Sequence, residues 1–255
     1  MRRFNPNILV FKLIRLYEIN SMFHLNSSVS LQRVRTLISS AEYCPIDICN
    51  IFSVKSLKNF PSRNNQKVDV LRELDGSLYI IKSNCETSEI SATLRACQIG
   101  IAPRTWKLGP DSFLQDFVSF TPLGGLWWPK CSAKLFGKSV AETLIGLHSA
   151  GIFYIDNICR HLFWRKDGHW ILIDYGTALL IDDPDGPKAE VELWLRENQD
   201  SRAKAIAKNS ELDRMAKLHD WFVWRGELTK ANSRLFWCLD KNVVLASFES
   251  TYPCP

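Results

Sequence analysis

Residues 147–178 have the sequence LHSAGIFYIDNICRHLFWRKDGHWILIDYGTA. It contains two short apolar runs, 162–164 and 170–173, separated by a turn with an Asp-Gly pair. Asp-Gly between apolar runs is a strong signal for a β-hairpin, whose two strands start and finish at one edge of a small sheet. We therefore expect Asp156, before the first strand, and Asp174, after the second, to lie close together.

The order of motifs in this stretch resembles the catalytic loop and the metal-binding DFG segment of the protein-kinase-like superfamily. The matching parts are Leu-His-Ser-Ala-Gly-Ile at 147–152, then Asp156, the apolar hairpin, and Asp-Tyr-Gly from Asp174. In that superfamily the first aspartate orients the attacking hydroxyl, and the DFG aspartate holds the magnesium that bridges the nucleotide phosphates. The resemblance implies a catalytic role for Asp156 and metal binding for Asp174.

Three positions depart from the superfamily pattern. Tyr154 and Ile155 stand where a histidine and an arginine usually precede the catalytic aspartate, and His161 stands where an asparagine usually binds metal. A neutral imidazole can bind a divalent ion, although magnesium prefers oxygen. The lipopolysaccharide-core sugar kinases are similar in carrying histidine there. His161 is therefore a candidate metal ligand, and packing under the hairpin is the alternative.

A second hairpin signal, Asp75-Gly76, separates two strands predicted over 68–74 and 77–82. Lys82 ends the second of these strands. In kinases the lysine that pairs with the α- and β-phosphates of ATP lies on the third strand of the amino-terminal sheet. The resemblance gives this role to Lys82, although a lysine at a strand end, taken alone, is usually just solvated.

The segment 86–98 has helical spacing and places three apolar side chains on one side, namely Ile90, Leu94 and Cys97. It resembles the kinase helix whose glutamate pairs with the strand lysine. That role falls on Glu89, with Glu86 as the second candidate. The turn at 100–103 resembles the GI-x-P turn after this helix in aminoglycoside-phosphotransferase-like kinases, which favours Glu89.

Two loops bear on nucleotide binding. The loop at 57–67 contains no glycine, so it lacks the flexible backbone cradle of a glycine-rich phosphate loop. A strand predicted over 113–118 leads into residues 121–125, which look like the hinge between two lobes. The resemblance then implies that adenine contacts backbone near Asp116 and Val118.

Composition and charge limit the function classes. The chain has 255 residues, is 46% hydrophobic and carries a net charge of +5. It is long enough for a packed core, and without a basic block no nucleic-acid partner is expected. Eight cysteines without CxxC pairs favour free thiols in a reducing compartment. We therefore expect a cytoplasmic protein.

The first 20 residues interleave apolar and basic side chains, including Lys12 and Arg15. These charges argue against a membrane span and against a signal-peptide core. A basic amphipathic helix can make peripheral contact with an acidic membrane, and docking on the folded domain is the favoured alternative. Met22 is an alternative start, in which case the segment has no role.

Further helices are predicted over 30–41, 140–149, 188–198 and 210–225, and an irregular strand-like section starts at residue 48. The acidic turn at 182–187 lacks the spacing of a calcium loop and is expected to be solvated.

The expected fold is α+β and two-lobed, of the protein-kinase-like type. A helical extension at 1–45 precedes a small antiparallel-sheet N-lobe at 46–120 and a mainly helical C-lobe at 121–255. The resemblance implies a kinase that uses ATP with Mg²⁺ or Mn²⁺ and phosphorylates a hydroxyl of a protein, a sugar or a lipid-linked saccharide. The glycine-free loop and the three departures support an alternative, a pseudokinase that acts as a binding or scaffold module. The active enzyme is the leading hypothesis, because both aspartates and the lysine are kept.

Overall fold

The structure is a computed structural model. It describes residues 28–56, 66–118, 133–154, 161–164, 170–182, 217–218, 221–226, 228 and 240–254. Within these residues the fold is α+β, with a five-stranded antiparallel sheet and several helices, which confirms the predicted class. The chain divides into two compact units, Met1–Cys85 with Trp106–Phe117 and Glu86–Thr105 with Val118–Pro255.

The described residues of the first unit form a helix, a 3₁₀ turn and the sheet. Helix α1 is Ser28–Ser40, and a 3₁₀ turn, Ile48–Asn50, precedes the first strand. The strands are β1 (Ile51–Ser56), β2 (Lys67–Glu73), β3 (Leu78–Ser83), β4 (Thr105–Gly109) and β5 (Ser112–Asp116), in the spatial order β1-β2-β3-β5-β4.

In the first unit, one sequence prediction is confirmed and another is shifted along the chain. The β2–β3 hairpin is confirmed, and its turn uses Gly76 at φ +89°, a conformation that favours glycine. The strand expected from residue 48 begins three residues later, at Ile51. The reason is local, because the Asp47 carboxylate accepts the Cys49 amide and caps a 3₁₀ turn instead.

Helix α1 covers one face of the sheet. Apolar side chains from both pack together, namely Val34, Ile38, Val54, Leu71, Ile81 and Leu114. On the same helix Arg33 forms an ion pair with Asp69 of β2, whose side chain is fully buried. Since a buried charge needs a partner, this pair fixes α1 against the sheet.

The described part of the second unit is mainly helical. It contains α2 (Thr87–Gln98), α3 (Ala133–Ser149) and α4 (Lys241–Thr251), and residues 221–226 are also helical. Its strands form two short antiparallel pairs, β6 (Ile152–Phe153) with β9 (Leu179–Leu180), and β7 (Leu162–Trp164) with β8 (Trp170–Leu172).

Close contact between α3 and α4 explains why α3 is longer than predicted. It begins at Ala133, not at residue 140, and its first turns pack on α4. A Cβ atom on Gly137 would lie 2.2 Å from the Val244 carbonyl oxygen, so the two backbones approach at a residue without a side chain. Ser247 strengthens the contact, because its hydroxyl donates to the Lys134 carbonyl oxygen at 2.5 Å.

The inward side of α2 also differs from the prediction. The buried residues are Glu89, Ile90, Ala92, Thr93 and Ala96, whereas Leu94 and Cys97 are half-buried. Ile90 is buried and Cys97 packs against the core of the second unit, as expected of the apolar side. The buried surface of the helix also includes the small side chains of Ala92 and Ala96, which were not part of the prediction.

Some predicted segments lie outside the described residues. They are the basic segment at 1–20, most of the loop at 57–67, the hinge at 121–125 and the helix at 188–198. Across the part of the chain that the structure describes, no helix has the length and apolar character needed to cross a membrane.

Candidate functional site

The β7–β8 hairpin leads directly to Asp174. Its strands pair in the register Leu162–Leu172, Phe163–Ile171 and Trp164–Trp170. The Ile173 amide donates to the His161 carbonyl oxygen at 3.0 Å, and the Leu172 amide donates to the Ile101 carbonyl oxygen at 2.8 Å. The backbone that precedes Asp174 is therefore held by the opposite strand and by the turn after α2.

Asp174 itself has a backbone φ of 64°, in the left-handed region that few residues other than glycine adopt. Such a conformation costs about 1–3 kcal/mol and occurs often at functional sites. Tyr154 supports this turn, since its hydroxyl donates to the Ile173 carbonyl oxygen at 2.8 Å. Its ring also meets the Tyr175 ring edge-on, with centroids 5.5 Å apart. Tyr154 therefore contacts the residues on both sides of Asp174.

Helix α2 brings a second carboxylate to the same place. Glu89 lies in its first turn and is only 1% exposed. A Cβ atom on Gly176 would lie 3.6 Å from both Asp174 Oδ1 and Glu89 Oε2. Two of the predicted site residues, Glu89 and Asp174, are thus neighbours within the second unit.

Lys82 lies on β3 in the first unit and is half-buried. Its partners across the sheet are Val68 and Phe113, both buried. Directly opposed residues share a face of the sheet, whereas the neighbouring Ile81 belongs to the core under α1. Lys82 therefore projects from the face opposite α1, surrounded by apolar side chains.

The two predicted adenine contacts are at the end of β5. Asp116 opposes Tyr79 and shares its face of the sheet, which is the face opposite Lys82. Burial, and then the carboxylates of Glu73 and Asp116, raise the pKa of the Tyr79 phenol. The Phe117 amide donates to the Leu78 carbonyl oxygen at 3.1 Å, so this donor is used by the sheet. Val118 follows it and is half-buried.

The remaining predicted residues are Asp156 and His161. Asp156 lies outside the described residues. His161 is half-buried at the start of β7 and receives the Ile173 amide through its backbone. Among the described residues, no group of three or more His, Cys, Asp or Glu side chains is arranged to hold a metal ion. The donors that the structure brings together are the Asp174 and Glu89 carboxylates, whose oxygen atoms suit Mg²⁺.

No protein-family model and no curated protein matches the sequence. What the site can do chemically therefore has to be inferred from its own residues, Asp174 and Glu89. The Asp174 carboxylate has the oxygen donors that divalent cations bind, and its backbone conformation is one found often at functional sites.

Two contributions to this site were not predicted. Tyr154 was noted only as a departure from the kinase pattern, and its buried hydroxyl proves to anchor the turn before Asp174. Asp182, expected to be solvated, is exposed but accepts two hydrogen bonds from Arg95, at 3.0 and 2.6 Å. A tyrosine in place of the usual histidine hints at the hydrogen bond from Tyr154 to Ile173. No short-range sequence signal indicates the pair between Arg95 and Asp182.

Proposed function

We propose that this protein is an ATP-dependent phosphotransferase with a two-lobed protein-kinase-like fold. It transfers the γ-phosphoryl group of ATP to a hydroxyl of a protein, a sugar or a lipid-linked saccharide. The observation that carries the proposal is the left-handed Asp174 beside the buried Glu89 carboxylate, at the end of a short hairpin. Both residues stand at the corresponding positions of the kinase-like sequence pattern.

In this proposal Asp174 binds Mg²⁺, and His161 is the second candidate ligand. A divalent ion held there would supply positive charge to the phosphates of ATP during transfer. Asp156 orients the acceptor hydroxyl for attack. Positioning and electrostatic stabilisation account for most of the catalysis in such sites. This agrees with the preceding residue, Ile173, being hydrogen-bonded through both its amide and its carbonyl oxygen.

Lys82 and Glu89 position the phosphates in this proposal, and the backbone near Asp116 and Val118 receives adenine. The support for Lys82 is its half-buried position among Val68 and Phe113. An apolar setting holds the long lysine stem while its ammonium group reaches a polar ligand.

The test is metal-dependent nucleotide binding, measured by calorimetry and by thermal unfolding. Wild type at about 100 times its dissociation constant for MgATP gains about 2.7 kcal/mol of stability. Asp174→Asn is expected to remove the metal dependence of binding, and Lys82→Ala to weaken binding with or without metal. Glu142→Gln is the matched control, because Glu142 is an exposed carboxylate that pairs with Lys138 at 3.5 Å on α3.

Three results would separate the alternatives. No stabilisation by millimolar MgATP contradicts the nucleotide site. Binding that responds equally to Asp174→Asn and to the Glu142 control contradicts the assignment of Asp174. Binding that follows the expected pattern, without phosphoryl transfer to any acceptor or to water, favours the pseudokinase alternative, in which the same residues form a binding module.

A further inference from the structure

Arg95 and Asp182 form an ion pair with two hydrogen bonds in the second unit. Arg95 lies near the end of α2, and Asp182 follows β9. The guanidinium donates from Nη1 to Oδ1 at 3.0 Å and from Nη2 to Oδ2 at 2.6 Å. This two-point geometry fixes direction as well as distance, unlike a single contact between a lysine and a carboxylate.

A third segment meets the pair at Gly151, whose φ is +71°. A Cβ atom there would lie 2.6 Å from Ile181 Cγ2 and 3.5 Å from Arg95 Nη1. The Gly151 carbonyl oxygen also accepts the Ile181 amide at 2.9 Å. Arg95 therefore reaches Asp182 across the loop that joins α3 to β6, and glycine leaves the space for it.

Helix α2 consequently contacts the chain after Asp174 at two places. Near its first turn Glu89 lies beside Gly176, and near its last turn Arg95 binds Asp182. The strand between these places, β9, also packs on the helix. Two separate attachments determine the orientation of a helix, whereas one leaves it free to pivot.

We propose that Arg95 and Asp182 are positioning residues, which hold the segment after Asp174 on α2 so that the Glu89 and Asp174 carboxylates keep their mutual placement. The consequence for turnover rests on the proposed phosphotransferase function, but the mechanical role of the pair does not. Neither residue touches the reacting groups.

The electrostatics agree with this role. Hydrogen bonding from Arg95 lowers the pKa of the Asp182 carboxyl below its ordinary value, and the same bonds raise the pKa of Arg95. The side chains are 34% and 58% exposed, so water and salt screen the attraction. The pair therefore acts mainly by fixing the relative orientation of the two segments, and the attraction between its charges weakens as ionic strength rises.

The test uses the full chain with Arg95→Gln, Asp182→Asn, and the exchanged pair Arg95→Asp with Asp182→Arg. The first readout is hydrogen exchange of the Ile181 amide, which needs neither nucleotide nor metal. Each single variant should exchange about fivefold faster at Ile181, the effect of losing a well-oriented exposed ion pair. The exchanged pair should restore most of the protection.

The second readout is function, as Mn²⁺ affinity by electron paramagnetic resonance and as kcat and KM for ATP. The single variants should lower kcat about tenfold, because small displacements of positioned groups are costly, while KM changes little. The exchanged pair should recover kcat. Arg225→Gln is the matched control, since Arg225 pairs with Glu249 at 2.6 Å at similar exposure, and it should change neither Ile181 exchange nor kcat.

Unchanged Ile181 exchange in both single variants overturns the proposal. The proposal is also overturned if the single variants exchange faster at Ile181 but keep wild-type kcat and Mn²⁺ affinity. That result would leave the proposed phosphotransferase function intact. If wild type transfers no phosphoryl group and the single variants still exchange faster at Ile181, the proposed function fails and the mechanical role of the pair is retained.

Discussion

Replacing Tyr154 by phenylalanine removes one hydroxyl from the centre of the site and keeps the ring. That hydroxyl donates to the Ile173 carbonyl oxygen at 2.8 Å, and Tyr154 is 0% exposed. Ile173 is half-buried and the hydrogen bond is partly buried, so its loss should cost about 0.5–1.5 kcal/mol, the net contribution of a typical hydrogen bond. We expect Tyr154→Phe to lower the free energy of unfolding by this amount. Urea denaturation with an unchanged m-value is the assay.

Tyr175 provides the matched control. It is 1% exposed, its ring contacts that of Tyr154, and its hydroxyl has no hydrogen-bond partner among the described residues. Burial, with a smaller effect from Cys97, raises the pKa of its phenol well above the ordinary value. Tyr175→Phe removes a desolvated polar group, so it should leave the free energy of unfolding unchanged or raise it. Equal losses in the two variants would refute the role assigned to the Tyr154 hydroxyl.

Three more predictions follow from single contacts. Gly137→Ala would bring a Cβ atom within 2.2 Å of an α4 carbonyl oxygen, and should lower the free energy of urea unfolding by about 1–3 kcal/mol. The control is Gly226→Ala, where no described atom lies within 4 Å; it should change that free energy by less than about 1 kcal/mol. Arg33→Met leaves the fully buried Asp69 without its ion-pair partner and should cost about 3–5 kcal/mol in the same assay; a loss as small as that of an exposed pair would contradict this. If His161 binds metal, His161→Asn should shift nucleotide-dependent activity from Mn²⁺ towards Mg²⁺, and an unchanged preference assigns it to packing.

Both hairpins were predictable because their signals are local. Asp75-Gly76 lies between two β-strands, and its glycine adopts the positive φ that the turn requires. The β7–β8 strands follow the same rule, and their register brings Asp174 to the end of the pair. Helix α2 was also predictable in its position, because its spacing and its glycine stop signal lie within a few residues of each other.

Contacts between distant segments were not predictable. Arg95 and Asp182 are far apart in sequence, and each alone is typical of a solvated surface residue. The spacing of Ile90 and Cys97 indicated part of the buried side of α2, but not the close packing at Ala92 and Ala96, which have little apolar surface of their own. Local sequence patterns do not indicate which distant residues come into contact.

The proposed phosphotransferase function can be tested by measuring ATP turnover by wild type and Asp156→Asn, with nucleotide binding measured in the same preparations. Asp156 is the residue proposed to orient the acceptor hydroxyl. An enzyme that uses it should retain MgATP binding in the variant and lose at least about 100-fold in phosphoryl transfer or slow ATP hydrolysis, the usual scale of general acid–base assistance. Equal ATP consumption above background by the two proteins, with both binding nucleotide, would contradict the account.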